Sequence, residues 1–225
     1  MKKLLTKKLF FNQWPFKIEM KVKGSSLIKK NGIEWVRKFC TDESFYTKKH
    51  DTAFWRGINK INLYKFLSAI EPHLEKDIKI RTEDATFNVY TADKTIVDSI
   101  LSDLSWCVTA IHEPNDSAEL EFLKNNPYKI ICDELPYGKY THKVSFNERT
   151  PKPARLKFWQ WISKYDEDTV KIGKATVGFL DGTKYYTVTP FLYVTNAKFL
   201  TMISLQIGEH VQRIEEFVPR HTLSL

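Results

Sequence analysis

Apolar and polar residues follow nearly the same order in two stretches of the chain, residues 87–114 and 191–219. Each stretch begins with a short aromatic and β-branched run and passes through a polar corner that ends in lysine, Lys94 or Lys198. An apolar segment with helical period follows, and a second β-branched run closes the stretch. The pattern predicts a duplicated strand–helix–strand unit.

Alternating and helical segments precede both copies. A strand with one buried face is expected where apolar and polar residues alternate, and a helix where apolar residues recur with helical period. The elements predicted in this way, in chain order, are strand 17–22, helix 26–40, strands 77–83 and 86–90, then strand 139–146, helix 154–165 and strands 170–179 and 185–194. Together with the repeated stretches, they give the order strand, helix, strand, strand, helix, strand twice, which is the order of a split βαβ unit. The sequence therefore predicts an α+β protein made of two tandem ferredoxin-like units packed together.

The predicted units are separated by one short connector. A chain of 225 residues has room for two small domains. We expect the first unit over residues 1–114 and the second over 128–225, joined by a short helical linker at 115–127. Residues 41–59 have no counterpart in the second half, so we interpret them as an insertion in the first unit.

Secreted, membrane and disulfide-rich proteins fit this sequence poorly. Lysines interrupt the first apolar run before it reaches the length of a signal sequence, and the longest apolar zone, 188–207, has the period of a strand and a helix. The three cysteines, Cys40, Cys107 and Cys132, are widely spaced and odd in number, which disfavours a disulfide framework. We therefore expect a cytoplasmic protein with no membrane partner.

The charge of the chain points to a class of partner. The formal net charge of +8 favours a polyanion, because clustered lysine and arginine release counterions from phosphates. Positive charge is concentrated in residues 1–60, where aromatic residues are interleaved with it. Bases stack on aromatic rings while ammonium groups contact phosphates, so this mixture is typical of proteins that bind single-stranded nucleic acid.

The insertion is the best local candidate for contact with a nucleic acid. Lys48, Lys49 and Arg56 are expected to contact phosphates, and Trp55 and Tyr46 are expected to stack on bases. The alternative is a flap whose aromatic residues pack on the first unit. Both interpretations stay open on the sequence.

Motifs for catalysis, cofactors and metals are missing from the sequence. Its eight glycines form no phosphate-binding loop, and its cysteines and histidines never fall at metal-ligand spacing. We interpret Glu215 and Glu216 as surface charge on opposite sides of the last strand. We therefore expect no catalytic residue, metal or cofactor. One enzymatic alternative survives, because RNA can be cleaved without metal by a histidine or lysine near its 2′-hydroxyl, and His50 stands in a basic setting.

The order of elements resembles that of two groups of tandem ferredoxin-like proteins. It is similar to paired RNA-recognition modules and to the repeat-associated RNA-processing proteins of prokaryotic immune systems. The aromatic signature of the first group and the glycine-rich carboxy-terminal loop of the second are missing. Residues 135–146 and 215–220 also resemble uncharacterised small proteins of marine bacteriophages, which implies a viral protein.

Three functions follow, in order of preference. The first is a viral nucleic-acid-binding protein that holds single-stranded DNA or RNA on a basic aromatic surface. The second is a structural or assembly protein, such as a capsid or connector component, whose partners are further copies of the chain or other viral proteins. The third is a metal-independent endoribonuclease. Salt separates the first two, because binding through phosphates weakens steeply with salt and apolar assembly does not.

Overall fold

The protein is described by a computed structural model over residues 1–42, 45, 53–74, 77–83, 86–183 and 189–223. The chain forms two compact units, Met1–Pro127 and Tyr128–Leu225. Each unit contains a five-stranded mixed sheet together with helices. The mixture of helices and strands expected from the sequence is therefore confirmed.

The first unit has a sheet with one parallel edge strand. Its helices and strands are, in chain order, β1 (Lys2–Leu5), β2 (Phe16–Lys21), α1 (Ser26–Asn31), α2 (Ile33–Thr41), α3 (Ala53–Arg56), α4 (Lys60–Leu74), β3 (Ile78–Glu83), β4 (Thr86–Thr91), α5 (Lys94–Leu104), β5 (Val108–Glu113) and α6 (Ser117–Asn125). The strands lie in the order β1-β5-β2-β4-β3. Strand β1 is parallel to β5, and the other neighbours are antiparallel.

The second unit repeats this arrangement. Its helices and strands are β6 (Lys129–Cys132), β7 (His142–Phe146), α7 (Lys152–Ile162), β8 (Val170–Ile172), α8 (Lys174–Leu180), β9 (Phe191–Val194), α9 (Ala197–Ile207) and β10 (Val211–Pro219). The strands lie in the order β6-β10-β7-β9-β8, and β6 is again a parallel edge strand beside β10. The two sheets therefore share one topology, including the added edge strand.

The repeat extends to the caps of the helices. Asp93 Oδ1 accepts a hydrogen bond of 2.8 Å from the amide of Thr95 at the start of α5. Asn196 Oδ1 accepts one of 3.0 Å from the amide of Phe199 at the start of α9. Such side chains satisfy amides that the first turn of a helix leaves without a helical partner. The polar corner in each repeated stretch is thus the cap of its helix.

One face of each sheet is buried under helices. In the first unit, Ile18 of β2 and Val89 of β4 are inaccessible to solvent and share a core with Ile100 of α5. Val144 of β7 and Leu192 of β9 are equally inaccessible in the core of the second unit. Because side chains alternate along a strand, the residues next to these project from the opposite face of each sheet.

Strands β4 and β9 are equivalent in the two sheets, but their residues match with a shift of one position from the match that the sequence suggests. Phe87 and Phe191 open the two similar stretches. In the sheets, Phe87 is fully buried and lies opposite Met20, whereas Phe191 lies opposite Ser145 on the face away from the core. Asn88 therefore occupies the place of Phe191. A shift of one residue matters because it exchanges the two faces of a strand.

Other predicted elements also change in the structure. Gly32, with a φ of 86°, divides the predicted helix 26–40 into α1 and α2. The chain beyond Ile172, predicted as a strand, forms α8, because a short apolar run fits either element. Helix α4 and the edge strands β1 and β6 were not predicted. The predicted strand residues 185–188 fall outside the described residues.

Candidate functional site

Only some of the residues predicted to contact nucleic acid belong to the described part of the chain. Tyr46, Lys48 and Lys49 fall outside it, as does His50, the residue named for the enzymatic alternative. Trp55 and Arg56 belong to α3. The ring of Trp55 is partly buried against the first core, with its centroid 5.4 Å from that of Phe39 and 6.0 Å from that of Trp35. Trp55 therefore contacts the core, and the exposed Arg56 follows it in the helix.

A row of three side chains crosses the first sheet on the face away from the core. Tyr90 in β4 lies directly opposite Lys17 in β2 and Lys79 in β3. The next residues along two of these strands, Ile18 and Val89, point into the core, so the row projects from the other face. The Nζ atom of Lys17 lies 5.9 Å from the centre of the Tyr90 ring. We call Lys17, Tyr90 and Lys79 the first row.

The second sheet carries the same row. Tyr193 in β9 lies directly opposite Lys143 in β7 and Lys171 in β8. Opposed residues on neighbouring strands stand about 5 Å apart at their Cβ atoms, so the tyrosine is flanked by a lysine on each neighbouring strand. We call Lys143, Tyr193 and Lys171 the second row. The repeat of strands thus repeats a lysine–tyrosine–lysine arrangement on the face away from each core.

An aromatic residue in a left-handed backbone conformation accompanies each row. Phe11 has a φ of 54°, and Tyr137 has a φ of 53°. Both turns are closed by the same backbone hydrogen bond, of 3.0 Å between Trp14 N and Phe10 O in the first unit and 3.1 Å in the second. Glycine and asparagine are the usual residues in this conformation, because a Cβ atom makes it costly. Both units nevertheless place an aromatic side chain there.

In the first unit, rings of this turn cover the row. The Phe11 ring centre lies 5.0 Å from that of Tyr90, and Lys79 Nζ lies 3.8 Å from the Phe11 ring centre. The Phe10 ring centre lies 5.5 Å from the Tyr90 ring centre and 5.5 Å from that of His112. As a result, Tyr90 is only 5% exposed, and 47% of Phe11 remains accessible.

In the second unit, a larger aromatic surface surrounds the row. The ring centre of Tyr193 lies 5.3 Å from that of Phe191 and 5.9 Å from that of Phe217. Tyr137 also has its ring centre 5.9 Å from that of Tyr193, and Lys171 Nζ lies 5.5 Å from the Tyr137 ring centre. Tyr137 is 69% exposed, so this face presents a ring to solvent.

A carboxylate lies beside the first row. Glu19 Oε1 accepts a hydrogen bond of 2.5 Å from Lys17 Nζ and lies 3.1 Å from His112 Nε2. Burial acts to raise the pKa of Glu19, but the hydrogen bonds from Lys17 and His112 outweigh it and lower the pKa. Glu19 is therefore ionised at neutral pH and offsets part of the positive charge of the first row.

The second row also has a neighbouring carboxylate. Glu215, interpreted from the sequence as surface charge, is instead buried, with Oε2 3.9 Å from Lys143 Nζ and Oε1 3.4 Å from Arg213 Nε. Glu216 points to the other side of β10, where its Oε2 lies 3.3 Å from Lys129 Nζ. The expectation that the two glutamates face opposite sides is confirmed, and the expectation that both are surface charge is wrong. Two cations compensate the buried Glu215 charge.

The two row tyrosines are neutral at physiological pH. Burial raises the pKa of Tyr90 and also that of Tyr193, so both lie above the ordinary phenol value. A neutral phenol does not repel phosphate. Each row therefore combines an aromatic ring without charge with two cations, which is a combination suited to a nucleotide.

Sequence reasoning missed both rows. Lys17 and Lys143 lie in strands that the alternation predicts, but their partners depend on the register of β4 and β9. A usable signal was present, since Tyr90 and Tyr193 each follow a core residue and so occupy a non-core position of a strand. The sequence alignment that pairs Phe87 with Phe191 is one residue out of step with the sheets, so it does not place Tyr90 and Tyr193 at matching positions.

In the described residues, histidine, cysteine and acidic side chains do not gather in groups of three or more that could hold a metal ion. Among the helices that the structure describes, none has the length and apolar character needed to cross a membrane.

Comparison of the chain with protein-family models, curated proteins and solved structures finds no match. The function is therefore inferred from the side chains of the two rows.

Proposed function

We propose that the protein binds single-stranded nucleic acid on the sheet faces that carry the two rows. The observation that carries this proposal is the repetition of a neutral tyrosine between two lysines with a second aromatic ring beside them.

We also propose that each unit is a ferredoxin-like fold with one added edge strand. Apart from that strand, each sheet has its fourth, first, third and second strands side by side, as two interleaved βαβ units require.

The chemistry of the rows favours unpaired bases over a duplex. A ring stacks on the flat face of a base, and that face is accessible only when the base is not already stacked in a helix. Such stacking contributes about 1 to 3 kcal/mol per base without a sequence preference. The lysines add phosphate contacts, which position the strand but carry no sequence information. The proposal is therefore of binding with little sequence specificity.

We propose that the insertion also contacts the nucleic acid. Lys48, Lys49 and Arg56 supply phosphate contacts, and Tyr46 and Trp55 supply aromatic surface. Since Trp55 packs against Trp35 and Phe39, a Trp55 variant tests stability together with binding. Lys48→Ala/Lys49→Ala is the cleaner test of this part, and unchanged affinity in that variant removes the two lysines from the site.

A matched pair of variants tests the main proposal. The row variant carries four lysine-to-alanine changes, at Lys17, Lys79, Lys143 and Lys171. The helix variant carries the same change at four exposed lysines on helices, Lys65, Lys124, Lys157 and Lys198. Both variants lose the same charge, so a general effect of net charge lowers both affinities alike. Circular dichroism and thermal melts establish that each variant is folded.

The affinities are measured by fluorescence anisotropy with labelled oligo-dT and oligo-U of about 12 nucleotides. We expect the row variant to bind at least about 10-fold more weakly than the helix variant, because its lysines contact phosphates directly. Equal affinities in the two variants contradict the proposal. Cleavage of oligo-U in the same samples would instead favour a metal-independent endoribonuclease.

An assembly function is the second candidate, and a different surface favours it. Leu205 and Met202 on α9 are 82% and 37% exposed, and large apolar side chains exposed together mark contacts between proteins. In this alternative, copies of the chain associate through α9. Light scattering at rising salt tests it, because apolar association persists where phosphate contacts fail. Dissociation by Leu205→Asp would support it.

A further inference from the structure

We infer that the second unit carries the principal binding face and that Tyr137 is the residue on which a base stacks, whereas the row of the first unit is covered by the chain's own Phe10. This inference rests on the proposed function.

The two turns can be compared residue by residue. The amide of Trp14 donates to the carbonyl of Phe10, and the amide of Tyr140 donates to the carbonyl of Pro136. A second bond repeats as well, because the residues after Phe11 and Tyr137 donate to carbonyls at matching positions, at 3.3 Å and 2.8 Å. Pro136 therefore holds the place of Phe10.

The exchange of phenylalanine for proline decides what covers each row. In the first unit, the Phe10 ring packs on Tyr90 and His112 and leaves Tyr90 nearly inaccessible. A ring that already covers the row occupies the place where a base would stack. Carboxylates accompany the lysines on both faces: Glu19 bonds Lys17 in the first unit, and in the second Glu215 lies 3.9 Å from Lys143 and Glu167 accepts a hydrogen bond of 2.7 Å from Lys171. The two faces therefore differ in coverage: the first row is covered by its own chain, and its left-handed ring, Phe11, is 47% exposed against 69% for Tyr137.

The second face carries an aromatic ring and a cation at two positions where the first face has neither. Phe191 replaces Asn88, and Lys143 Nζ lies 4.3 Å from the centre of the Phe191 ring. Arg213 lies opposite Ser145, at the place where Ala110 lies opposite Glu19 in the first sheet. One more ring is therefore present on this face, and rings are groups on which a base stacks. The added cation, Arg213, is paired with the buried Glu215.

Tyr137 is the most accessible ring on this face. It lies in a turn with a left-handed backbone, most of its surface is exposed, and Lys171 Nζ lies 5.5 Å from its ring centre. Residues held in such conformations cluster at ligand-binding sites, because the surrounding structure must enforce them. A base stacked on Tyr137 would place its phosphate within reach of Lys171, which links the exposed ring to the second row.

Glycine substitutions at the two left-handed positions test the inference, because glycine accepts this backbone freely. Tyr137→Gly removes the exposed ring, Phe11→Gly is its matched control in the other unit, and Tyr137→Phe keeps a ring without the hydroxyl. We expect Tyr137→Gly to weaken binding of oligo-dT or oligo-U by about 5-fold or more. Tyr137→Phe should stay within about 2-fold of the wild type, and the loss of affinity in Phe11→Gly should be smaller than that in Tyr137→Gly.

The outcomes separate this inference from the proposed function. Wild-type binding with an unaffected Tyr137→Gly variant overturns the inference and leaves the proposed function standing. Equal losses in Tyr137→Gly and Phe11→Gly overturn the assignment of a principal face, as does a loss in Phe11→Gly alone. No binding by the wild-type chain at low salt overturns both. Thermal melts of each variant exclude unfolding as the cause of a loss.

Discussion

Phe11 and Tyr137 share a backbone conformation that aromatic residues rarely adopt, with φ angles of 54° and 53°. They hold matching places in two turns closed by the same hydrogen bonds. A single strained residue could reflect one local accident of packing. The same conformation occurs in both units, with a lysine at the ring each time. Strained residues of this kind are typical of functional sites, where the placement of a side chain outweighs the cost in local stability.

Tyr137→Gly should leave the protein as stable as the wild type or make it more stable. The left-handed conformation costs a residue with a Cβ atom about 1 to 2 kcal/mol, and Tyr137 loses little packing because it is mostly exposed. Urea denaturation gives the free energy of unfolding of both proteins. A fall of more than about 1 kcal/mol would show that the Tyr137 ring supports the fold.

The register of the two repeated strands predicts unequal roles for Phe87 and Phe191. Phe87 is fully buried and meets the ring of Phe66 at 5.0 Å, whereas Phe191 lies half-buried on the other face. Phe87→Ala should lower the free energy of unfolding by about 3 to 5 kcal/mol. Phe191→Ala should lower it by about 1 kcal/mol. Equal costs would mean that the two residues are equivalent, as their positions in the sequence suggest.

Ile100 and Ile203 hold matching places in α5 and α9, and both are almost inaccessible. Truncation of either to alanine should cost about 2 to 5 kcal/mol, because each leaves a cavity in a close-packed core. Leu205→Ala on α9 is the control, since that leucine is 82% exposed. Its denaturation midpoint should be close to that of the wild type, and unchanged midpoints in the isoleucine variants would refute the assigned cores.

Periodicity predicts these helices well because burial of one face fixes where apolar residues fall. Helices α5 and α9 begin at caps that lie in the polar corners of the two stretches, and the buried Ile100 and Ile203 lie in their apolar segments. The lysine–tyrosine rows could not be predicted in the same way. Each row joins three strands, so it depends on register, and register is set by pairing between distant parts of the chain.

The ion pairs of Glu113, at the end of β5, provide a pH dependence. Lys94 lowers the pKa of Glu113 through a hydrogen bond of 2.9 Å, more than burial raises it, and Lys3 lies 3.4 Å away. A lowered folded pKa gives stability that is present above the unfolded pKa of Glu113 and is lost as pH falls through the folded one. Glu113→Gln should therefore cost about 0.5 to 1 kcal/mol at pH 7.

The same cost should vanish in acid. Once the pH lies below the folded pKa of Glu113, the wild-type carboxyl is protonated and resembles the glutamine. Urea denaturation of both proteins at neutral pH and at a pH well below the ordinary glutamate value of 4.5 gives the two differences. A difference that is the same at both pH values would contradict the contribution assigned to ionised Glu113.

The salt dependence of binding tests the central claim most directly. Anisotropy titrations of labelled oligo-dT and oligo-U between about 50 and 200 mM salt give the slope of log K against log salt for the wild type, the row variant and the helix variant. The account predicts a steep linear fall for the wild type and the helix variant. In the row variant the slope should be smaller by roughly 0.7 for each lysine that contacts a phosphate. A wild-type chain that shows no binding at the lowest salt, or a row variant whose slope equals that of the helix variant, would contradict it.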